Sequence, residues 1–130
     1  MPEPTIYELV GGEETFRQIV DIFYSRIEAD PLLRTMFPAD LGPGKRNQQL
    51  FLMQYFGGPT TYNSERGHPR LRMRHAPFPI GQAARDAWLA NMLAALDAVG
   101  VAEPALSVMR SYFENAANAM MNTIAVEGRQ

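Results

Sequence analysis

GGPTTYNSERGHPRLRMRHAPFPI, residues 57–80, is the least regular stretch of the sequence, and helical patterns lie on both sides of it. It holds both histidines of the chain, four arginines, four prolines and three glycines, and no sustained period. Connections without regular structure that exceed about 12–15 residues are uncommon in compact domains and are usually functional or disordered. Leu71, Met73, Phe78 and Ile80 are scattered among its charges, which disfavours disorder. We therefore expect residues 57–80 to be held in order by something that they bind.

The flanking sequence predicts an all-α protein. Apolar side chains recur at three- and four-residue intervals, the spacing of an amphipathic helix. Thr5 and Glu8 have the spacing of a capping box, and Asp30-Pro31 is a helix stop followed by a restart. No strand pattern or internal repeat is present, so we expect one domain over residues 1–130. The predicted helices cover about residues 5–10, 13–29, 31–36, 45–56, 82–99 and 103–124.

Composition excludes several classes of function. The sequence has 12 basic and 14 acidic residues and a net charge of −2, which argues against a general nucleic-acid binder. The absence of cysteine excludes thiolate zinc sites, iron–sulfur clusters and cysteine nucleophiles. No apolar run approaches the roughly 20 residues of a membrane span, and MPEPTIYELVGG does not resemble a signal peptide. We expect a cytoplasmic protein without a membrane span.

The residue types alone do not identify what residues 57–80 bind. Methionines and aromatic residues at helical spacing usually form plain core, and a lone histidine such as His75 is more often structural than a metal ligand. No carboxylate or cysteine cluster lies near His75, so a metal there would need a cofactor that takes a single protein ligand. Haem is the main candidate, and arginine is suited to its carboxylates because a guanidinium can bind a carboxylate through two hydrogen bonds.

Several motifs together resemble those of the truncated haemoglobins, and most closely group II of that family. They follow the family's order over about three-quarters of the chain, and the RLRMRH run with the later DAWL is the most specific part. The motifs are YELVGG (7–12 with its first tyrosine at Tyr7), Phe23-Tyr24, Leu32-Leu33 to Phe37-Pro38, FLMQYFGGP (51–59), Tyr62, GHPRLRMRH (67–75) and DAWL (86–89).

This resemblance implies a two-over-two helical sandwich around haem b, with His75 as the protein ligand of the iron. His68 is the competing histidine, but it is fixed between Gly67 and Pro69 and the resemblance does not assign it to iron. Arg74 resembles the family's partner of the haem propionates. The residues expected to contact the haem are Phe37, Leu52, Tyr62, Met73, Arg74, Phe78 and Trp88.

The resemblance also implies a ligand-binding side formed by Tyr24, Gln48 and Trp88. Their phenol, amide and indole groups are apt donors to the partial negative charge of a bound dioxygen. Without the resemblance, Trp88 would be taken for an ordinary core residue. Phe37 stands where some group II members have tyrosine, and Gly44 stands where a gate residue is expected, so access there is expected to be open.

The function expected is the binding of dioxygen and other diatomic ligands, in a respiratory or protective role. Whether the protein is also an enzyme is left open by the sequence. One alternative is a haem-dependent redox enzyme with peroxidase-like or nitric oxide dioxygenase chemistry, and it would need a separate reductase because no flavin or nicotinamide motif is present. A second alternative is a helical interaction domain without haem. The oligomeric state is not predicted.

Overall fold

The computed structural model describes residues 3–67 and 80–121, and these contain seven helices and no strand. None of the described helices is long and apolar enough to cross a membrane. The all-α class is therefore confirmed. The helices are α1 (Ile6–Val10), α2 (Glu13–Ala29), α3 (Pro31–Arg34), α4 (Gly42–Tyr55), α5 (Thr61–Arg66), α6 (Gln82–Val99) and α7 (Ala105–Met120).

The first helix begins at the predicted capping box. The Thr5 backbone N–H donates to Glu8 Oε1 at 2.9 Å, and the Glu8 N–H donates to Thr5 Oγ1 at 3.2 Å. The helix is held against the end of α4, where the Tyr7 N–H donates to the Phe56 carbonyl at 2.9 Å. A Cβ on Gly58 would lie 2.6 Å from the Tyr7 ring, so this close packing requires glycine.

The long helix α2 has the predicted bounds and buries the predicted apolar stripe. Its buried residues are Phe16, Ile19, Val20, Phe23, Tyr24 and Ile27. Asp30 ends α2 and caps α3, since its carboxylate accepts from the Leu32 N–H at 3.0 Å. The short helix α3 ends at Arg34, two residues earlier than predicted.

Two features of the middle of the chain differ from the sequence prediction. Helix α4 begins at Gly42 and not at Lys45, because Pro43 is tolerated in a first helical turn, where no backbone donor is lost. Residues 61–66 form α5, within a stretch that showed no period in the sequence. A helix of six residues is less than two turns long, so its apolar positions do not repeat often enough to be recognised.

Two helix pairs, α2 with α4 and α6 with α7, enclose the core. Helix α2 packs against α4 and also along α6, and α6 packs against α7. The core between them is apolar, and Phe16, Phe23, Met92, Met109 and Phe113 are almost completely buried. This arrangement leaves a cleft between the pairs, toward the side where α5 lies against α4.

Candidate functional site

A cavity of about 270 Å³ lies between the two helix pairs. Helices α2, α4, α5, α6 and α7 all contribute to its wall, which is mostly aromatic and aliphatic with a few polar tips. The lining residues are Phe23, Tyr24, Phe37, Gly44, Asn47, Gln48, Phe51, Leu52, Tyr62, Trp88, Tyr112, Phe113, Ala116 and Met120.

A second cavity of about 380 Å³ adjoins the first. Together they reach the size of small-molecule sites, which span roughly 300–1,000 Å³. Of the described residues that line either cavity, only Arg85 carries a charge. The five residues that line both are Tyr24, Phe37, Gly44, Trp88 and Met120; the second cavity adds Leu33, Met36, Pro38, Ile80, Ala84, Arg85 and Ala117.

All predicted site residues that the structure describes lie on the first cavity. Although they are spread over more than 60 positions of sequence, the helix packing brings them to one wall. They are Tyr24, Phe37, Gln48, Leu52, Tyr62 and Trp88. The other predicted residues, Met73, Arg74, His75 and Phe78, lie outside the described residues, as does the competing His68.

Tyr24 presents an unengaged hydroxyl to the cleft. Helix α2 buries its ring, which packs edge-on against Phe23 and Phe37 at centroid distances of 5.4 and 5.9 Å. Among the described residues, the hydroxyl has no hydrogen-bond partner. Burial raises the pKa of Tyr24 to about 12, because a phenolate would be poorly solvated there. The group is therefore a neutral hydrogen-bond donor at ordinary pH.

Gly44 lies close to that hydroxyl. A Cβ built at Gly44 would stand 3.2 Å from Tyr24 Oη, which is tighter than an ordinary van der Waals contact. The glycine itself is exposed at the edge of both cavities. The absence of a side chain at Gly44 thus leaves the edge of both cavities open, and it also lets the Tyr24 hydroxyl approach α4.

Gln48 and Trp88 complete the polar part of the wall. The Gln48 side-chain oxygen is buried and has no hydrogen-bond partner in the described part of the chain. Trp88 makes an edge contact with Phe23 and a tilted ring contact with Phe113, at centroid distances of 5.7 and 6.1 Å. Since buried polar atoms are nearly always hydrogen-bonded, an amide oxygen that no described residue pairs fits a cavity made for a polar occupant.

Sequence reasoning missed the contributions of α7 and of Arg85. The α7 residues that line the first cavity include Phe113, Ala116 and Met120. They follow the apolar spacing of the predicted last helix, but this spacing does not distinguish a residue of a cavity wall from a residue of the packed core. Arg85 is mostly buried, and it donates to Asn118 Oδ1 at 2.8 Å and to Asp86 Oδ1 at 2.9 Å. The position of Trp88 could have indicated Arg85 as a site residue, because Trp88 lies three residues later in α6 and residues three apart share a helix face.

Comparison with known proteins identifies the family of the chain. A profile of the bacterial-like globins matches residues 5–122. The chain is 45% identical to a group 2 truncated haemoglobin of Bacillus subtilis over 123 residues, which cover 95% of this chain and 92% of that protein.

Solved structures agree as well. The haemoglobin of the thermophilic phototrophic bacterium Chloroflexus aurantiacus is 73% identical, with a TM-score of 0.91 over 92% of this chain and 99% of that one. The group II truncated haemoglobin of Bacillus anthracis is 40% identical, with a TM-score of 0.92 over 95% of each chain. The chain therefore belongs to the bacterial-like globins and, within them, to the group II truncated haemoglobins.

Proposed function

We propose that this protein holds haem b in the cleft between its helix pairs and binds dioxygen there. Membership of the globin family implies a haem cofactor and the binding of small diatomic ligands such as dioxygen. The observation that carries the proposal is that Tyr24, Gln48 and Trp88 meet on one cavity wall, where the buried Gln48 oxygen has no hydrogen-bond partner among the described residues.

The described residues fit a flat, mostly apolar cofactor. The two adjoining cavities share a wall and are lined largely by rings and aliphatic side chains, as a porphyrin requires. Phe37, Leu52, Tyr62 and Trp88 would contact it, together with Met73 and Phe78. Arg74 would pair with a propionate, and Arg85 is a second cation at the edge of the cleft.

When bound, haem would supply an iron centre that takes one small ligand, and we assign its protein ligand to His75. The chain's own contribution is to hold that ligand. The Tyr24 hydroxyl and the Trp88 N–H would donate to the bound ligand, and the Gln48 amide lies on the same cavity wall. Since burial keeps Tyr24 neutral, its proton remains available for this hydrogen bond at ordinary pH.

Titration of haem into the haem-free protein tests the cofactor. Trp88 is the one tryptophan of the sequence and lines both cavities. We expect its fluorescence to be quenched as a strong haem absorption band grows, with an end point at one haem per chain. The band should then shift on addition of dioxygen or carbon monoxide. A protein that shows neither quenching nor a band would instead be a helical interaction domain.

The iron ligand is tested by a matched pair of variants. His75→Ala should abolish specific haem retention, or leave haem that needs an added ligand such as imidazole. His68→Ala should keep the iron–histidine signal in resonance Raman spectra. Loss of that signal in His68→Ala, with the signal intact in His75→Ala, would reverse the assignment.

A further inference from the structure

The loop between α3 and α4, residues 35–41, forms part of the wall of the cleft. Three of its residues line the second cavity, Met36, Phe37 and Pro38. Phe37 lines the first cavity as well, and its ring lies edge-on against Tyr24 at a centroid distance of 5.9 Å. The other ring in edge contact with Tyr24 is Phe23, which belongs to the long helix α2. Of these two neighbours of Tyr24, Phe37 is therefore the one whose position depends on a loop.

Arg34, the last residue of α3, bonds this loop through its guanidinium. Nη1 donates to the Phe37 carbonyl at 3.3 Å and to the Pro38 carbonyl at 3.0 Å, and Nη2 donates to the Ala39 carbonyl at 3.0 Å. The main chain adds a further bond, because the Phe37 N–H donates to the Arg34 carbonyl at 3.2 Å. Both backbone groups of Phe37 are thus bonded to Arg34.

The guanidinium is well suited to fix one conformation of the loop. Among the described residues, no backbone N–H donates to the carbonyls of residues 37–39. A chain segment without such bonds keeps much of its conformational freedom. A guanidinium is planar and always charged and has five N–H donors in a fixed fork, so it can bond several carbonyls at once. Because its charge strengthens each of these bonds, the bonded conformation of the loop is favoured over the others.

Arg34 does not itself form part of the cleft. It lines neither cavity, so it does not contact an occupant of either one. Arg17 and Arg46 form ion pairs with carboxylates, whereas no carboxylate of the described residues forms one with Arg34. The loop carbonyls are thus the partners that the described structure gives to its charge.

We propose that Arg34 is a positioning residue for the ligand-binding side of the cleft, which acts through Phe37 on Tyr24. While the guanidinium holds the carbonyls of residues 37–39, the Phe37 ring keeps the Tyr24 ring in place. Without the guanidinium the loop relaxes, Tyr24 loses one of its two aromatic neighbours, and the hydrogen bond from its hydroxyl to a bound ligand weakens. The effect on the ligand rests on the proposed function, since that ligand is dioxygen bound at haem.

Hydrogen exchange of the haem-loaded protein, with carbon monoxide bound, tests the loop. The N–H groups of Met36 and Phe37 donate to the Leu33 and Arg34 carbonyls, so their exchange reports on the start of the loop. In Arg34→Gln we expect these two amides to exchange on the order of 10-fold faster, which is the effect of losing one hydrogen bond to a charged group. The amides of α7 should exchange at an unchanged rate, and this separates local loosening from a loss of global stability.

Dioxygen release tests whether Arg34 acts through Phe37. Arg34→Gln should speed the release of dioxygen on the order of 10-fold and that of carbon monoxide much less, because bound carbon monoxide is less polarised. In a Phe37→Leu background, Arg34→Gln should have no further effect on dioxygen release, because the ring that transmits the effect is gone. An equal effect in both backgrounds would overturn the proposal.

Two further variants complete the experiment, and circular dichroism and the haem band establish that each is folded and loaded. Arg34→Lys keeps the charge but offers one nitrogen in place of two, so it should resemble Arg34→Gln. Arg110→Gln is the matched control, because it removes an exposed guanidinium of α7 that makes no hydrogen bond among the described residues, and it should change neither measurement.

The remaining outcomes separate this proposal from the proposed function. Unchanged loop exchange in Arg34→Gln, or wild-type exchange and release in Arg34→Lys, would overturn the role of Arg34 and leave haem binding untouched. A protein that takes up no haem would overturn the proposed function. The loop exchange does not depend on that result, because Arg34→Gln should accelerate it with or without haem.

Discussion

Tyr24 and Trp88 bring two donors to one cavity wall, and each should slow the release of dioxygen. A hydrogen bond to a charged group contributes about 1.5–3 kcal/mol, so Tyr24→Phe or Trp88→Phe should speed release roughly 10- to 150-fold. Bound carbon monoxide is less polarised, and its release should change much less. Stopped-flow measurements on both single variants and on the double variant separate the effects. Equal changes for the two gases would mean that these side chains act as steric gates.

Gly44 sets how closely the Tyr24 hydroxyl approaches α4. The added methyl of Gly44→Ala would stand 3.2 Å from Tyr24 Oη, so the hydroxyl must move by a few tenths of an ångström. We expect oxygen release to become faster, though by less than in Tyr24→Phe. When Gly44→Ala is added to Tyr24→Phe, it should have no further effect, because the group that it displaces is gone. An equal effect in both backgrounds would assign Gly44 to ligand access alone.

From the sequence, only those site residues could be predicted that the resemblance to the family assigns. Helical periodicity marks Tyr24, Leu52 and Trp88 as inward-facing, yet it does not separate a cavity wall from a packed core. Tyr112 and Arg85 were missed for this reason, since each sits on a helix whose pattern is satisfied by burial alone. Tyr55 follows the cavity-lining Phe51 by four residues and so shares its side of α4, yet it is exposed at the last turn of the helix.

At the level of helices, the junction of α2, α3 and α6 depends on one buried amide. Asn91 Nδ2 donates to Asp30 Oδ2 at 3.0 Å and to the Ala87 carbonyl at 2.9 Å, and its oxygen accepts from Arg26 Nε at 3.0 Å. Asn91 is the one polar residue that is buried among the described residues. The amide therefore joins the end of α2 and the cap of α3 to the middle of α6.

Asn91→Ala should destabilise the protein by about 1–3 kcal/mol, because Asp30 and Arg26 lose a partner in a partly buried place. The amide of Asn91 is the main cause that lowers the pKa of Asp30. A depressed carboxyl pKa stabilises the fold above the ordinary value of about 3.9 and ceases to do so as pH falls through the folded value. The cost of the substitution should therefore shrink in acid.

Urea unfolding at neutral and acidic pH measures this change. Asn115→Ala is the matched control, since Asn115 is an exposed asparagine of α7 whose side chain makes no hydrogen bond among the described residues. A cost for Asn91→Ala no greater than that of the control would show that the junction is held by apolar packing alone.

The elements themselves were largely predictable, and the exceptions have physical causes. Helices α2 and α6 have the predicted bounds because each has a long apolar stripe and a clear stop, Asp30-Pro31 for one and Gly100 for the other. Helix α5 was missed because it is too short to show a period. The start of α4 was misplaced because Gly42-Pro43-Gly44 is the composition of a turn, whereas packing against α2 stabilises it as helix.

For the whole molecule, two buried phenols predict unfolding at alkaline pH. Burial raises the pKa of Tyr24 to about 12 and also raises that of Tyr112. Unfolded tyrosine titrates near pH 10, so above that value the unfolded state loses protons that the folded state keeps, and stability falls as pH rises. For Tyr24 the full loss amounts to roughly 3 kcal/mol, at 1.36 kcal/mol per unit of pKa.

The pH dependence of urea unfolding in the haem-free protein measures this effect. Tyr24→Phe and Tyr112→Phe should each flatten the decline above about pH 10. Phe51→Leu is the control, because it alters a ring of the same cavity wall without removing an ionisable group, and it should leave the slope unchanged. A decline of equal steepness in all three variants would place the alkaline sensitivity in other groups.

The shared wall of the two cavities also bears on how such a protein can evolve. Because Tyr24, Phe37, Gly44, Trp88 and Met120 face both spaces, one substitution among them changes two compartments at once, and few replacements will satisfy both. Residues that line a single cavity, such as Asn47 or Leu33, need to fit only that cavity. In a random library selected for altered ligand retention with the cofactor still held, accepted changes should therefore accumulate at the one-sided positions first.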